Sequence, residues 1–453
     1  MDPSSGLPLE LLLKIFRHYL YDRDIPVQSF DFSDGLWVLG RVNRTWRSAI
    51  LYDKSLWSKI NVAINYPPQD FMRPLPGFTL LEEEEPLNEV TTIALTPTTN
   101  QVLSYVLLRS EDMPLAISLH FPAKRMNLDN APSPVYRPFF SVLSEESPRW
   151  CTLDLVAPSP ICEDFANIPL SRLPLLQKVH GTLQHGHCLF QVIQRSSNVV
   201  DLAVELRYPD GNHAGGNTIH MPRLCKLLVS TPPLLDAIIA PSLKSLTVMN
   251  TYYASSSPHV HPVSNFIRRS GCSLTNLELH WNGTANELFN LLSSIPTLES
   301  LSLFHNDFKV AFDKGMKLLP SVLPKLRALS IHRDVIVRHR QRLVNKLDPF
   351  PDATPVIDTI QSIIAGGVLE SINVGLVVVD VFSNVARQRL SLLNSSPRVK
   401  VEIRQWSSDL MAWSNWDRLD RVMQFPRLSP SRSASAWSIH QRDWKMQRED
   451  PVA

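Results

Sequence analysis

Apolar residues near the start of the chain recur with the period of a helix, and further along they recur with the period of a strand. Leu9, Leu12, Leu13, Phe16 and Leu20 fall at i, i+3, i+4, i+7 and i+11, which places them on one face of an amphipathic helix. Pro8 suits the first helical position, where its missing N–H leaves nothing unpaired. Leu11, Ile15 and Tyr19 make a second apolar row on another face of the same helix. One row can pack on the segment's own core. A unit this small buries little surface, so the other row needs cover, either from a partner or from the rest of the chain. Val42, Trp46 and Ile50 share a helical stripe through 43–51. Ser55 is placed to cap a short helix carrying Leu56 and Trp57, and Ile60, Val62 and Ile64 then alternate as in a strand.

Beyond this segment a hexad, L-x-x-L-x-L, repeats. It stands at Leu224/Leu227/Val229, Leu243/Leu246/Val248, Leu274/Leu277/Leu279, Leu298/Leu301/Leu303, Leu326/Leu329/Ile331 and Leu369/Ile372/Val374, with weaker copies at Trp150/Leu153/Leu155 and Val199/Leu202/Val204. Successive strong copies lie 19, 31, 24, 28 and 43 residues apart. Apart from the last step, which holds an insertion with the basic run 333–346, this is the range of leucine-rich repeats. Each hexad predicts a short strand with inward leucines whose core is completed by its neighbours. Segments 90–95 and 114–120 alternate in the same way around a helix-like 102–109, and 287–293 and 357–365 read as helices between strands. The expected fold is an α/β solenoid, leucine-rich-repeat-like but irregular, behind a small all-α module. The spacing is uneven and the asparagine usual after such strands is mostly absent, so a non-repetitive α/β domain with Leu-rich strands is the competing reading. The predicted divisions are a helical module over 1–62, a Pro-rich acidic linker over 63–89, the solenoid over 90–405, and a cap with a poorly ordered tail over 406–453. Trp406, Trp413 and Trp416 in that last part either cap the final repeat or form an aromatic patch.

The N-terminal residues also resemble a known family. Leu7-Pro8-x-Glu10-Leu11 followed by Ile15 and Phe16, then Val42-x-x-x-Trp46-Arg47, then Leu56-Trp57, is similar to an F-box. Asn43 stands where many members have Cys, and 21–33 make the first connection longer than usual. An F-box followed by a leucine-rich-repeat-like array resembles F-box proteins of the fungal type. The resemblance implies docking to the Skp adaptor of a cullin–RING ubiquitin ligase, with Leu7, Pro8, Leu11, Ile15, Val42, Trp46 and Trp57 as contact or framework residues.

Composition narrows the alternatives. Lys and Arg number 45 against 43 Asp and Glu in 453 residues, which offers no general attraction to nucleic acid or an anionic membrane. No apolar run approaches a membrane span, and Asp2, Glu10 and Lys14 interrupt any signal-peptide pattern. Five scattered cysteines fit reduced thiols and a cytoplasmic or nuclear setting. No phosphate-cradling, dinucleotide or nucleophile-elbow motif is present. His332-Arg333-Asp334 matches a kinase tripeptide without its companion motifs, and His185, His187 and Cys188 lack a second ligand pair at zinc spacing. The expectation is therefore no enzyme, no cofactor and no metal, but a protein that binds other proteins.

The hexads locate a candidate binding surface. Residues between the leucines face outward, and the next outward position holds Met249, His280, Phe304 and His332 in successive repeats, with Trp281 and His305 following two of them. Aromatic and Met side chains in a band suit protein recognition; the alternative is packing beneath loops at the sheet edge.

Overall fold

The structure is a computed structural model that describes residues 7–21, 29–64, 97–121, 136–157, 173–183, 192–194, 196–206, 218–249, 260–281, 285–305, 319–333, 370–378 and 399–405, besides the single positions 361, 388, 389 and 392. The expected tail, most of the linker, the strand over 90–95 and nearly all of the helix over 357–365 lie outside these residues. The chain divides into two compact units, 1–213 with 433–453, and 214–432.

The first unit opens with three helices, α1 (Leu9–Tyr21), α2 (Gly35–Val42) and α3 (Arg44–Tyr52), and a 3-10 turn (Lys54–Trp57). Leu12, Phe16 and Leu20 of the predicted α1 face are buried, whereas Leu9, at the helix start, is exposed. The stripe Val42/Trp46/Ile50 does not lie on one helix. Asn43 has extended backbone, ends α2 and caps α3, its Oδ1 accepting the Trp46 N–H at 2.9 Å. A short polar side chain that satisfies an orphan N–H in this way favours a fresh helix start over continuation. The turn carrying Leu56 and Trp57 is capped by Asp53 and not by Ser55: Asp53 Oδ1 accepts the Ser55 N–H and hydroxyl at 3.0 and 2.7 Å.

The strand read from Ile60 and Val62 forms as β1 (Lys59–Ala63) and pairs in parallel with β2 (Leu115–His120). β3 (Trp150–Ala157), β4 (Lys178–Leu183) and β5 (Asp201–Leu206) follow in chain order. Helices α4 (Pro97–Ser110) and α5 (Tyr136–Glu145) lie in the first two connections and pack together. The sheet thus begins at residue 59 and not near 90, and the boundary drawn at 62 falls inside a strand. Both weaker hexads land on strands, β3 and β5. β4 has no hexad of its own because Gly181 occupies the place of the third apolar residue after Leu176 and Val179.

In the second unit β7 (Lys226–Val229), β9 (Ser245–Val248), β10 (Asn276–Trp281), β11 (Ser300–His305), β12 (Ala328–Arg333), β13 (Ser371–Val378) and β14 (Val399–Gln405) are neighbours in that order, all parallel. A two-stranded pair, β6 (Ile219–His220) with β8 (Ile238–Ile239), stands beside them in sequence. Helices α6 (Val260–Ser270), α7 (Ala285–Ser293) and the single turn α8 (Leu319–Val322) fill connections. Each strong hexad leads into a strand, with Leu369 itself outside the described residues, and Leu227, Leu246, Leu277, Leu279, Leu301, Leu303 and Leu329 are buried. One backbone device recurs at each strand entry. The carbonyls of Cys225, Lys244, Thr275, Glu299 and Arg327 each accept two successive N–H groups from the start of the next strand, at 2.8–3.0 Å. The hydrogen bonds of each corner are thereby satisfied by its neighbour, as stacked units require. Gly271, at φ +59°, ends α6 and donates to the Ile267 carbonyl at 2.9 Å, a conformation that an L side chain adopts only with strain.

Candidate functional site

The helices of the first unit divide the apolar residues of α1 between two duties. Phe16 is buried and meets the Trp46 ring edge-on, centroids 5.1 Å apart at 63°. Trp57 is buried, its indole N–H donating to the Ile50 carbonyl at 2.9 Å. Trp46 is half-buried. Trp46 and Trp57 therefore hold the helices together. Leu7, Pro8, Leu11, Ile15 and Val42 are all exposed, with Leu11 at 50%, Ile15 at 47% and Val42 at 52%. Tyr19, the third member of the second row, is half-buried, and its hydroxyl donates to Asp34 Oδ1 at 2.7 Å. Asp34 is also the N-cap of α2, so Tyr19 fastens α1 to α2 and the open row reduces to Leu11 and Ile15.

Composition alone does not single out the joint behind this row. Trp37 lies against Trp57 (5.7 Å) and Tyr105 (6.1 Å), and Tyr105 lies edge-on to Trp57 (5.7 Å). Tyr105 belongs to α4, so three aromatic rings lock the helical module to the first sheet connection. Lys54 pairs with Glu111 across the same joint. Arg17 holds Asp53 at 2.6 Å, orienting the carboxylate that caps the 3-10 turn. A small cleft here is lined by Leu20, Tyr21, Trp37, Trp57, Lys59 and Val106. The Tyr21 hydroxyl donates to the Ser55 carbonyl at 3.0 Å; burial, and secondarily the Asp53 charge, push it up to about 12. The cleft is therefore an internal seam of bonded groups. Among the described residues no cluster of three His, Cys, Asp or Glu side chains is arranged to hold a metal.

The expected outward band falls on β9–β12 of the second unit, with the side chains of His305 and His332 outside those described. Along β10, Leu277, Leu279 and Trp281 are buried while Asn276, Glu278 and His280 are partly open, so the even-numbered positions face out. Register pairs His280 with Phe304 and Phe304 with His332. The His280 and Phe304 rings stack face to face, 4.5 Å apart at 9°. Met249 follows β9 at the next outward position and is half-buried. Trp281 leaves the band: it is 3% exposed, because alternation turns it to the leucine side. His305 is its register partner.

Comparison with known families matches residues 4–63 to the F-box-like family. The chain therefore carries an F-box-like domain, a type of domain that in general binds Skp-type adaptors. No curated protein matches the chain.

Proposed function

We propose that this chain is a substrate-recognition subunit of an SCF-type cullin–RING ubiquitin ligase. The F-box-like domain docks the Skp adaptor, and through it the cullin. The parallel-sheet remainder, read as an irregular leucine-rich-repeat-like solenoid, holds a protein target. The observation that carries this reading is the exposure of Leu11 and Ile15 beside Leu7, Pro8 and Val42, within a match to the F-box-like family. A scaffold acting outside ubiquitin ligases, with the helices as an N-terminal cap, calls for that row to be covered by the chain itself, so its exposure favours docking. The chain works by proximity: holding target and ligase together raises effective concentration, with no covalent step of its own, no cofactor and no metal. Its setting is the cytoplasm or nucleus, and it needs neither nucleic acid nor membrane. Affinity purification of the tagged full-length chain tests this. Adaptor and cullin are expected among the retained proteins, and their absence alongside a well-folded bait rejects the reading.

A further inference from the structure

On the side of the strands away from the leucines a hydroxyl repeatedly reaches a carboxylate directly opposite it on the next strand, and Thr182 and Thr247 are buried there. Ser118 on β2 donates to Asp154 on β3 at 3.2 Å, Thr182 on β4 to Glu205 on β5 at 3.4 Å, and Thr247 on β9 to Glu278 on β10 at 3.5 Å. A carboxylate offers about four acceptor sites, and one long bond from a neutral hydroxyl leaves most of Glu278's capacity unused. No ion pair joins it to a Lys or Arg among the described residues, and the charge that acts on it is that of His280, two residues on. At the strand register, Lys226 of β7 stands two strands away, and Lys400 and Glu402 of β14 stand four away.

Glu278 has a particular neighbour. His280, two residues on and on the same side of β10, forms the stack with Phe304. An aromatic platform beside a carboxylate that accepts one long hydroxyl bond is complementary to a side chain that is flat, cationic and able to donate in a fork. Arginine has these properties, since its guanidinium stacks on rings and binds carboxylates through paired N–H groups. From Thr247 to Asn373 the register row of Glu278 is otherwise neutral, with Ser302 and Ser330 between, and Lys400 of β14 follows Asn373. Four strand steps at about 4.8 Å span roughly 19 Å, the length of about six extended residues. We propose that this face of the second unit binds an extended, arginine-bearing peptide segment, with the arginine stem on the His280–Phe304 stack and its guanidinium at Glu278. This deepens the substrate-receptor reading by naming the chemistry of the target.

The test uses the full-length chain and a fluorescein-labelled heptapeptide, Ser-Arg-Gly-Arg-Ser-Arg-Gly, against the same peptide with citrulline at each arginine. Fluorescence anisotropy at low salt is expected to show the arginine peptide binding about tenfold tighter than the citrulline one, the loss expected for one charged hydrogen-bonded pair. Glu278→Gln, which keeps shape and removes charge, is expected to erase that preference, and Phe304→Leu to weaken both peptides. Equal binding of the two peptides, or an unchanged preference in Glu278→Gln with an unaltered thermal midpoint, overturns the proposal. Should Glu278→Gln fail to fold, Phe304→Leu decides: unchanged affinity for the arginine peptide overturns it. Adaptor binding is read on the same samples, so a failure of the docking reading shows itself separately.

Discussion

Leu11 and Leu12 are adjacent in sequence and opposite in duty. Leu12 is fully buried and Leu11 is half exposed, because one helical residue step turns a side chain by about 100°. Phe16→Ala is therefore expected to lower stability by about 3–5 kcal/mol, as the loss of a buried ring does. Leu11→Ala with Ile15→Ala is expected to leave the denaturation midpoint almost unmoved; a large shift by urea denaturation would mean the row is structural. Asn43→Ala removes the cap on α3 and is expected to cost about 1 kcal/mol in the same assay. Asp154 gives a pH test. Burial raises it from 3.8 to about 6, the Ser118 hydroxyl pulling weakly the other way. The folded chain then holds this proton more tightly than the unfolded chain does, so its contribution to stability is full at low pH and is lost as the pH rises from about 4 to about 6. Asp154→Asn is expected to raise the melting temperature at pH 7.5 and to change it little at pH 4. Equal shifts at both pH values would contradict the assignment.

At the scale of elements, complete patterns were readable and interrupted ones were not. Every hexad with its apolar residues in place became a strand, since alternation with inward leucines fits only one side of a parallel sheet. β4 was obscured by Gly181, and β14 by the lack of a leading leucine, although Val399, Val401 and Ile403 alternate. The break between α2 and α3 and the cap at Asp53 depend on side-chain hydrogen bonds that apolar periodicity does not record. The aromatic joint between Trp37, Trp57 and Tyr105 joins residues far apart in sequence, which no local pattern shows. That joint and the β1–β2 pairing bind the helices to the sheet. Truncation after residue 65 removes β2 and Tyr105, and is expected to abolish the cooperative thermal transition expected of the whole chain. A sharp transition in the fragment, followed by circular dichroism, would show that the module is self-sufficient.

At the scale of the molecule, the candidate docking row was legible in outline because surplus apolar surface on a short helix stands out against its polar neighbours. Which members face solvent was not legible: Tyr19, Trp46 and Trp57 have polar atoms or broad rings that serve either purpose, and only packing assigns them. The same holds for the outward band, where packing stacked His280 on Phe304 and sent Trp281 inward. If the two surfaces act separately, His280→Ala with Phe304→Ala should leave adaptor binding intact while reducing target capture in cross-linking experiments. The most direct test of the central claim is calorimetry of the full-length chain with a soluble Skp adaptor, beside the Leu11→Ala, Ile15→Ala variant. Saturable binding that the variant loses while keeping its thermal transition is the predicted result. No binding by the wild-type chain, or equal binding by the variant, would contradict the account.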